Sequence, residues 1–328
     1  MAGWLAAGIL CLIACHTGRQ KDAVSLTVHD DELTVRAGGM PVLSYIVRTD
    51  LPHHRFADSL PAYYARSGFL AGVRTPAGRI VTDDFPVGHT HQHGIFTAWT
   101  NTTFRSRHVD FWNQHEGTGT ARHAEVMETY GAAGVAGFRV RLEQVSAEFG
   151  TVLSEEWHVR VYDRTEPFVW DLRSVQTNVT DDTLYLNRHA YGGLGVRGSP
   201  EWNTADSLSY RSPVLFLTSE GLTRIPANHT RPAWTAMYGR LEDKDGGGTG
   251  GIAVFPHPAD RHGPRFVRVH PEMPYLSITP VAEAGFALAP GETYLSRYRF
   301  VTFDGEPDPA VLDALAWDTF AAADDPGM

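Results

Sequence analysis

Val152-Leu153-Ser154-Glu155-Glu156-Trp157-His158-Val159-Arg160-Val161-Tyr162 is the stretch that decides the fold. Side chains alternate across an extended chain, so Leu153, Trp157, Val159 and Val161 share one face, while Glu156, His158, Arg160 and Tyr162 share the other. An apolar face backed by a polar one is the pattern of a strand in an antiparallel sheet with one side on a core. The same alternation runs outward from Phe138 to Leu186, enough for a meander of three or four long strands. Nearer the start, Ser25–Val28 and Leu33–Val35 flank His29-Asp30-Asp31-Glu32, a hairpin turn. Phe69–Arg74 and Arg79–Thr82 flank Thr75-Pro76-Ala77-Gly78, which reads as another. Further strands are expected at Val214–Thr218, Trp234–Arg240, Gly251–Phe255, Phe266–His270, Tyr275–Thr279 and Tyr294–Thr302. Pro309–Ala322 is the one convincing helix, with Asp308 as N-cap and Pro309 at its first position. No repeat of fixed period is present. The expectation is a mainly β protein, a large antiparallel β-sandwich with a short C-terminal helix, formed as a single domain over residues 24–328.

The first residues point to export. Leu5–Ala14 is apolar, too short to cross a bilayer but suited to a signal peptide. Leu12-Ile13-Ala14-Cys15 has the form of a lipobox, although no Lys or Arg precedes it. Residues 1–14 are read as a lipoprotein signal, Cys15 as the lipidated residue, and 15–23 as a tether leading to a periplasmic or outer-membrane location. No later segment approaches the roughly 18 apolar residues of a spanning helix, so the membrane is expected to be met through the N-terminal lipid only. Removal of Cys11 and acylation of Cys15 leave no thiol, which excludes disulfides, cysteine nucleophiles and Cys-ligated metals. The balance of 28 Lys+Arg against 38 Asp+Glu gives a net charge of −10 and no basic run, so no nucleic-acid partner is expected. Two segments read as flexible, His16–Lys21 and Asp243–Gly251.

Chemistry concentrates in three clusters. In Gly88-His89-Thr90-His91-Gln92-His93-Gly94, an extended chain places His89, His91 and His93 on one side. They serve either as substrate-facing acid–base groups, as a divalent-metal site, or as hydrogen-bonded strand residues. Asn187–Gly198 combines glycines with Arg188, His189, Tyr191 and Arg197, donors suited to a sugar carboxylate or sulfate. Asp110–His115 contains Trp112, whose flat face could stack on a sugar ring, although most Trp in a large β protein belong to the core. Glu156 and His158 form a candidate carboxylate–imidazole pair, or equally a solvated face. His257 and His270 stand at strand ends. Gly-x-Ser-x-Gly and His-Glu-x-x-His are absent, so serine-hydrolase and metallopeptidase readings have no footing.

Taken in order, Gly72–Gly78, His91-Gln92-His93-Gly94-Ile95-Phe96, Asp110-Phe111-Trp112, Tyr191-Gly192-Gly193, Pro232-Ala233-Trp234, Gly251–Pro258 and Tyr298-Arg299-Phe300 resemble an uncharacterised bacterial family labelled "methane oxygenase PmoA". The resemblance covers roughly residues 40–320. The methane monooxygenase subunit of that name spans the membrane several times, which this chain has no helix to do. What the resemblance implies is a galactose-mutarotase-like supersandwich and a role among carbohydrate-degradation functions. The matching positions are His91, His93, His189, Tyr191 and Arg197, and no catalytic assignment comes with them.

The leading expectation is therefore an exported carbohydrate-active enzyme working on oligosaccharides or uronic-acid sugars by proton transfer, as a lyase, hydratase or epimerase. His91 or His93 would be base or acid with His189 or Tyr191 as partner. Arg188, Arg197, Trp112, His89 and Glu156 would bind substrate, and no cofactor would be needed. The alternatives are a non-catalytic glycan-binding lipoprotein, and an enzyme using a divalent metal on His89, His91 and His93.

Overall fold

A computed structural model describes residues 24–49, 60–132, 134–242, 246–261 and 265–317. The leader, Cys15 and the tether lie outside them. Among the described residues the chain is mainly β, arranged in three antiparallel sheets. The first sheet runs Val24–Val28, Glu32–Ala37, Met40–Ile46, Leu70–Ala71, Ile95–Ala98, Gly193–Arg197, Tyr275–Thr279, Phe266–Val269 from edge to edge. The second runs Leu215–Thr218, Thr235–Leu241, Gly248–Pro256, Thr293–Asp304, Phe168–Asn178, Gly150–Tyr162, Val135–Ser146, Gly119–Ala132. A small third sheet joins Phe286–Leu288, Leu184–Leu186, Thr102–Phe104 and Arg107–Val109.

The alternation of residues 152–162 sets how the second sheet packs. Trp157, Val159 and Val161 are fully buried and belong to a cluster shared with Val35, Leu43, Ile95, Leu194, Val196, Leu276 and Ile278 of the first sheet. Two sheets that bury one common apolar layer make a sandwich. The opposite face, with Glu156, His158, Arg160 and Tyr162, is only partly covered. Behind the second sheet, the helix Pro309–Ala314 lays Leu312 over Trp234, Phe255 and Val301. Its first turn is capped as expected, the Asp308 carboxylate accepting from the backbone N–H of Ala310 and Val311.

Four local expectations change. The helix ends at Ala314, not Ala322, and residues beyond 317 lie outside the described set. Of Phe69–Arg74 only Leu70–Ala71 is a strand, and the segment 79–82 is held by isolated pairings, although the Thr75–Gly78 turn forms, closed by Gly78 N–H donating to Thr75 O at 2.8 Å. Gly248–Gly251 is strand and not loop, since its flat glycine backbone pairs with residues 238–241. Residues 86–94 form turns, and the strand begins only at Ile95.

Candidate active site

The period of two also places the site. Val267, Val269, Leu276, Ile278, Leu194 and Val196 face the sandwich core, so Arg268, Tyr275, Gly195 and Arg197 face the other side of the first sheet. There Gly195 leaves the floor without a side chain. An added Cβ would stand 2.7 Å from Trp112 Cη2 and from Phe96 Cε1, so glycine lets both rings lie against the sheet. Gly193–Arg197 is thus a central strand of the first sheet.

Above this floor lies a cavity of about 320 Å³ walled by His89, His91 and Gln92 from one loop and Asn113, His115 and Glu116 from another. Tyr191, Arg268, His270 and Tyr275 come from the sheet side. The imidazoles form a chain, with ring centroids 5.1 Å apart for His115 and His91, 5.6 Å for His91 and His89, and 6.4 Å for His89 and His270. Burial, followed by the neighbouring His89, His115 and Arg197, pulls His91 down to about 3. Burial with Arg268 and His89 lowers His270 to about 4, and burial with Arg197 lowers His89. These three rings are neutral at ordinary pH. The tautomer of His270 follows from its partners. Its Nδ1 accepts from the backbone N–H of Glu272 and Met273 at 3.2 and 3.0 Å, so the ring proton sits on Nε2 as a donor.

Positive charge backs the cavity. Arg197 is fully buried, donates to Gln92 Oε1 at 3.0 Å, and is lowered to about 10 by burial. Arg268 donates to neutral acceptors, Asn228 Oδ1 and Val269 O. On the far wall Tyr191 exchanges long hydrogen bonds of 3.3 and 3.5 Å with the Asn113 amide, and burial raises its phenol above the usual value. Burial likewise raises Tyr275.

Several residues singled out in the sequence lie elsewhere. His93 leaves the expected row because the chain turns between 89 and 93. It is fully buried against Phe69, Phe85 and Phe96, its Nε2 meeting Gln114 Oε1 at 3.1 Å. A metal on His89, His91 and His93 together therefore has no geometry to stand on. Trp112 is fully buried beneath Tyr191 and Tyr275, at 5.5 and 6.0 Å, and offers no open face to a sugar. Arg188 is exposed outside the cavity and donates to Ala282 O. Glu156 stands on the other sheet, paired with Arg139 at 3.4 Å, while His158 meets the Tyr130 hydroxyl at 2.7 Å, so the two form no pair. His189 is half-buried with its ring 4.6 Å from Tyr191, adjoining the cavity without lining it. Gln92, Asn113, Glu116, Arg268 and Tyr275 were not singled out. Only the His270 strand-end signal touched that wall, because these side chains meet through sheet order and not through spacing.

The model of a family of unknown function (DUF6807) matches residues 32–317. No curated protein matches the sequence. Among solved structures, the chain is similar to the α-galactosidase AgaA of Geobacillus stearothermophilus at 12% identity and a TM-score of 0.37, with 86% of this chain and 40% of that one covered. The chain thus spans less than half of that galactosidase. It is similar to the Slr1438 protein of Synechocystis sp. PCC 6803 at 11% identity and a TM-score of 0.38, covering 87% and 93%. A putative aldose 1-epimerase of Escherichia coli K12 matches at 9% identity and a TM-score of 0.29, covering 86% and 99%. At such scores no chemistry is carried over to this chain.

Proposed function

The chain belongs to the DUF6807 family, and on that premise we propose that it is an exported enzyme that transfers a proton at a ring carbon of an acidic sugar. The observation that carries this reading is the single cavity in which neutral His89, His91 and His270 meet His115, Tyr191 and Arg268. Its volume stands near the lower end of small-molecule sites, roughly 300–1,000 Å³. Neutral imidazoles and phenols offer donors and acceptors in the mixture that vicinal hydroxyls require, and His270 Nε2–H is one fixed donor.

A sugar carboxylate seats against Arg268, with the buried Arg197 adding positive potential from behind Gln92. Removal of the proton on the carbon next to that carboxylate spreads negative charge into it, where the two guanidiniums stabilise it. His91 accepts the proton. An imidazole near 3 is a weak base when the cavity is empty, and the anion developing beside it strengthens it. The electron pair left behind forms a carbon–carbon double bond as the bond to the glycosidic oxygen breaks, and the Tyr191 hydroxyl gives its proton to that leaving oxygen. Burial keeps the phenol protonated until then. The Leu12–Cys15 lipobox supports an envelope location, with the enzyme held at the membrane by lipid on Cys15.

Proton NMR of the purified protein with neutral and uronic oligosaccharides tests the proposal. New olefinic signals with uronic substrates are expected, and His91→Ala should slow their appearance by at least about 100-fold. Inversion at one carbon without an olefin would make the enzyme an epimerase. Line broadening with no product would favour a glycan-binding protein, and full turnover in His91→Ala would overturn the assignment of the base.

A further inference from the structure

At the rim of the cavity, outside the imidazole chain, the hairpin strand Arg107–Val109 and the turn Gln114–Glu116 bring together His108, Asp110 and Glu116. One ligand atom from each lies within 4.8 Å of the other two. Gly117, at φ +69°, ends that turn in the left-handed conformation, which returns the chain toward the hairpin. We infer that these three side chains form a binding site for a divalent transition-metal ion of the zinc or manganese class.

Two observations carry the inference. His108 Nε2 and Glu116 Oε2 stand 3.3 Å apart. Bonds of about 2.0–2.1 Å to a tetrahedral ion require a ligand-to-ligand edge of about 3.3–3.4 Å, so this edge is already present. Asp110 is 3% exposed, and its carboxylate accepts from Trp112 N–H, Asn113 N–H and Asn113 Nδ2 without any Arg or Lys partner among the described residues. Those bonds fix its orientation, as outer hydrogen bonds do for metal-binding carboxylates, and leave one oxygen with lone-pair capacity. Burial, with Glu116 nearby, disfavours the charged form of the Asp110 carboxyl, and a divalent ion beside both carboxylates relieves that cost. One imidazole with two carboxylates favours zinc or manganese over calcium, which takes oxygen ligands. Two of the three ligands are exposed, so the ion would keep positions open toward solvent and toward Glu116's neighbours in the cavity.

Zn²⁺ and Mn²⁺ titrations of the metal-stripped full chain, followed by calorimetry and by elemental analysis after dialysis, test the site without reference to turnover. One ion per chain is expected, weakened at least about tenfold by His108→Gln and by Glu116→Gln. Circular dichroism of both exposed-site variants checks that they fold. Retention of full affinity in both variants would overturn the proposal. So would loss of binding in His89→Ala/His270→Ala with the two rim variants unaffected, and so would absence of binding at millimolar metal.

Discussion

At the residue scale, what distinguishes the cavity is that its imidazoles are crowded together and that three of them, His89, His91 and His270, are kept uncharged. His91 sits near 3 and His270 near 4, both below the ordinary value of 6.5, with burial as the largest cause in each. The sign of the consequence follows directly. Between those values and 6.5 the unfolded chain binds more protons than the folded one, so stability rises with pH there and is lost as pH falls from about 6.5 toward 4. Each imidazole contributes at most about 1.4 kcal/mol per pH unit in that window, and less for the half-buried His270, which solvent screens. Replacing His91 by Asn removes one such group, so the drop in melting temperature between pH 7 and pH 4 should shrink. An unchanged acid profile in His91→Asn would show that the ring is not held neutral. The buried Glu155 is the residue-scale lesson in the other direction. It shares the inward face of Leu153 and Trp157, and the alternation that buried those apolar neighbours buried it too.

At the scale of the element, the decisive segment is the one that failed to be a strand. Residues 86–94 turn where the histidine spacing suggested extension, and the turn sends His89 and His91 to the cavity and His93 into the core. Gly94 fixes where this loop meets the sheet. An added Cβ there would collide with the backbone carbonyl of Leu70 on the adjacent strand, while Gly94 O accepts from Arg197 N–H at 2.8 Å. A backbone obstacle cannot rotate away as a side chain can. Gly94→Ala is therefore expected to destabilise the protein by about 1–3 kcal/mol and to displace the His89–His91 loop. Urea denaturation reads the first effect, and histidine ring resonances in NMR read the second. The regular elements behaved otherwise: Tyr275–Thr279 matches its expected bounds, and the strands Thr235–Leu241 and Thr293–Asp304 fall within two residues of theirs.

At the scale of the whole molecule, one polar network ties the two large sheets together inside the apolar layer. Glu155 accepts from Thr97 of the first sheet at 2.7 Å, and from Trp157 Nε1 at 2.7 Å, Ser174 at 2.6 Å and Gln144 Nε2 at 3.2 Å on its own sheet. Arg66, fully buried and lowered to about 10 by burial, is the cation whose charge Glu155 balances, and it donates to Thr97 O at 3.0 Å. Removing one charge strands the other away from water. Glu155→Ala should cost about 3–5 kcal/mol, seen as a lower urea midpoint, whereas Glu156→Ala on the outer face should change it by under about 1 kcal/mol. Equal effects from the two would mean that Glu155 is not the inter-sheet link.

How much could be read without the fold depends on the range over which each determinant acts. The strand period at 152–162, the Asp308-Pro309 helix start and the Thr75–Gly78 turn are local, because backbone sterics and capping act over a few residues, and they held. The β-sandwich class followed from the same local signals. Of the cavity, His89, His91, Tyr191 and the strand-end His270 were visible as chemistry-bearing residues. The rest was decided by tertiary structure. Arg268 and Tyr275 share the cavity because two strands pair so that Arg268 lies opposite Ser277, and Trp112 was withdrawn into the floor because Gly195 gave it room. His93 was drawn into the core by the turn before it. Which imidazole meets which is a matter of sheet order and loop direction, properties of residues far apart in the chain, and no spacing along one segment encodes them.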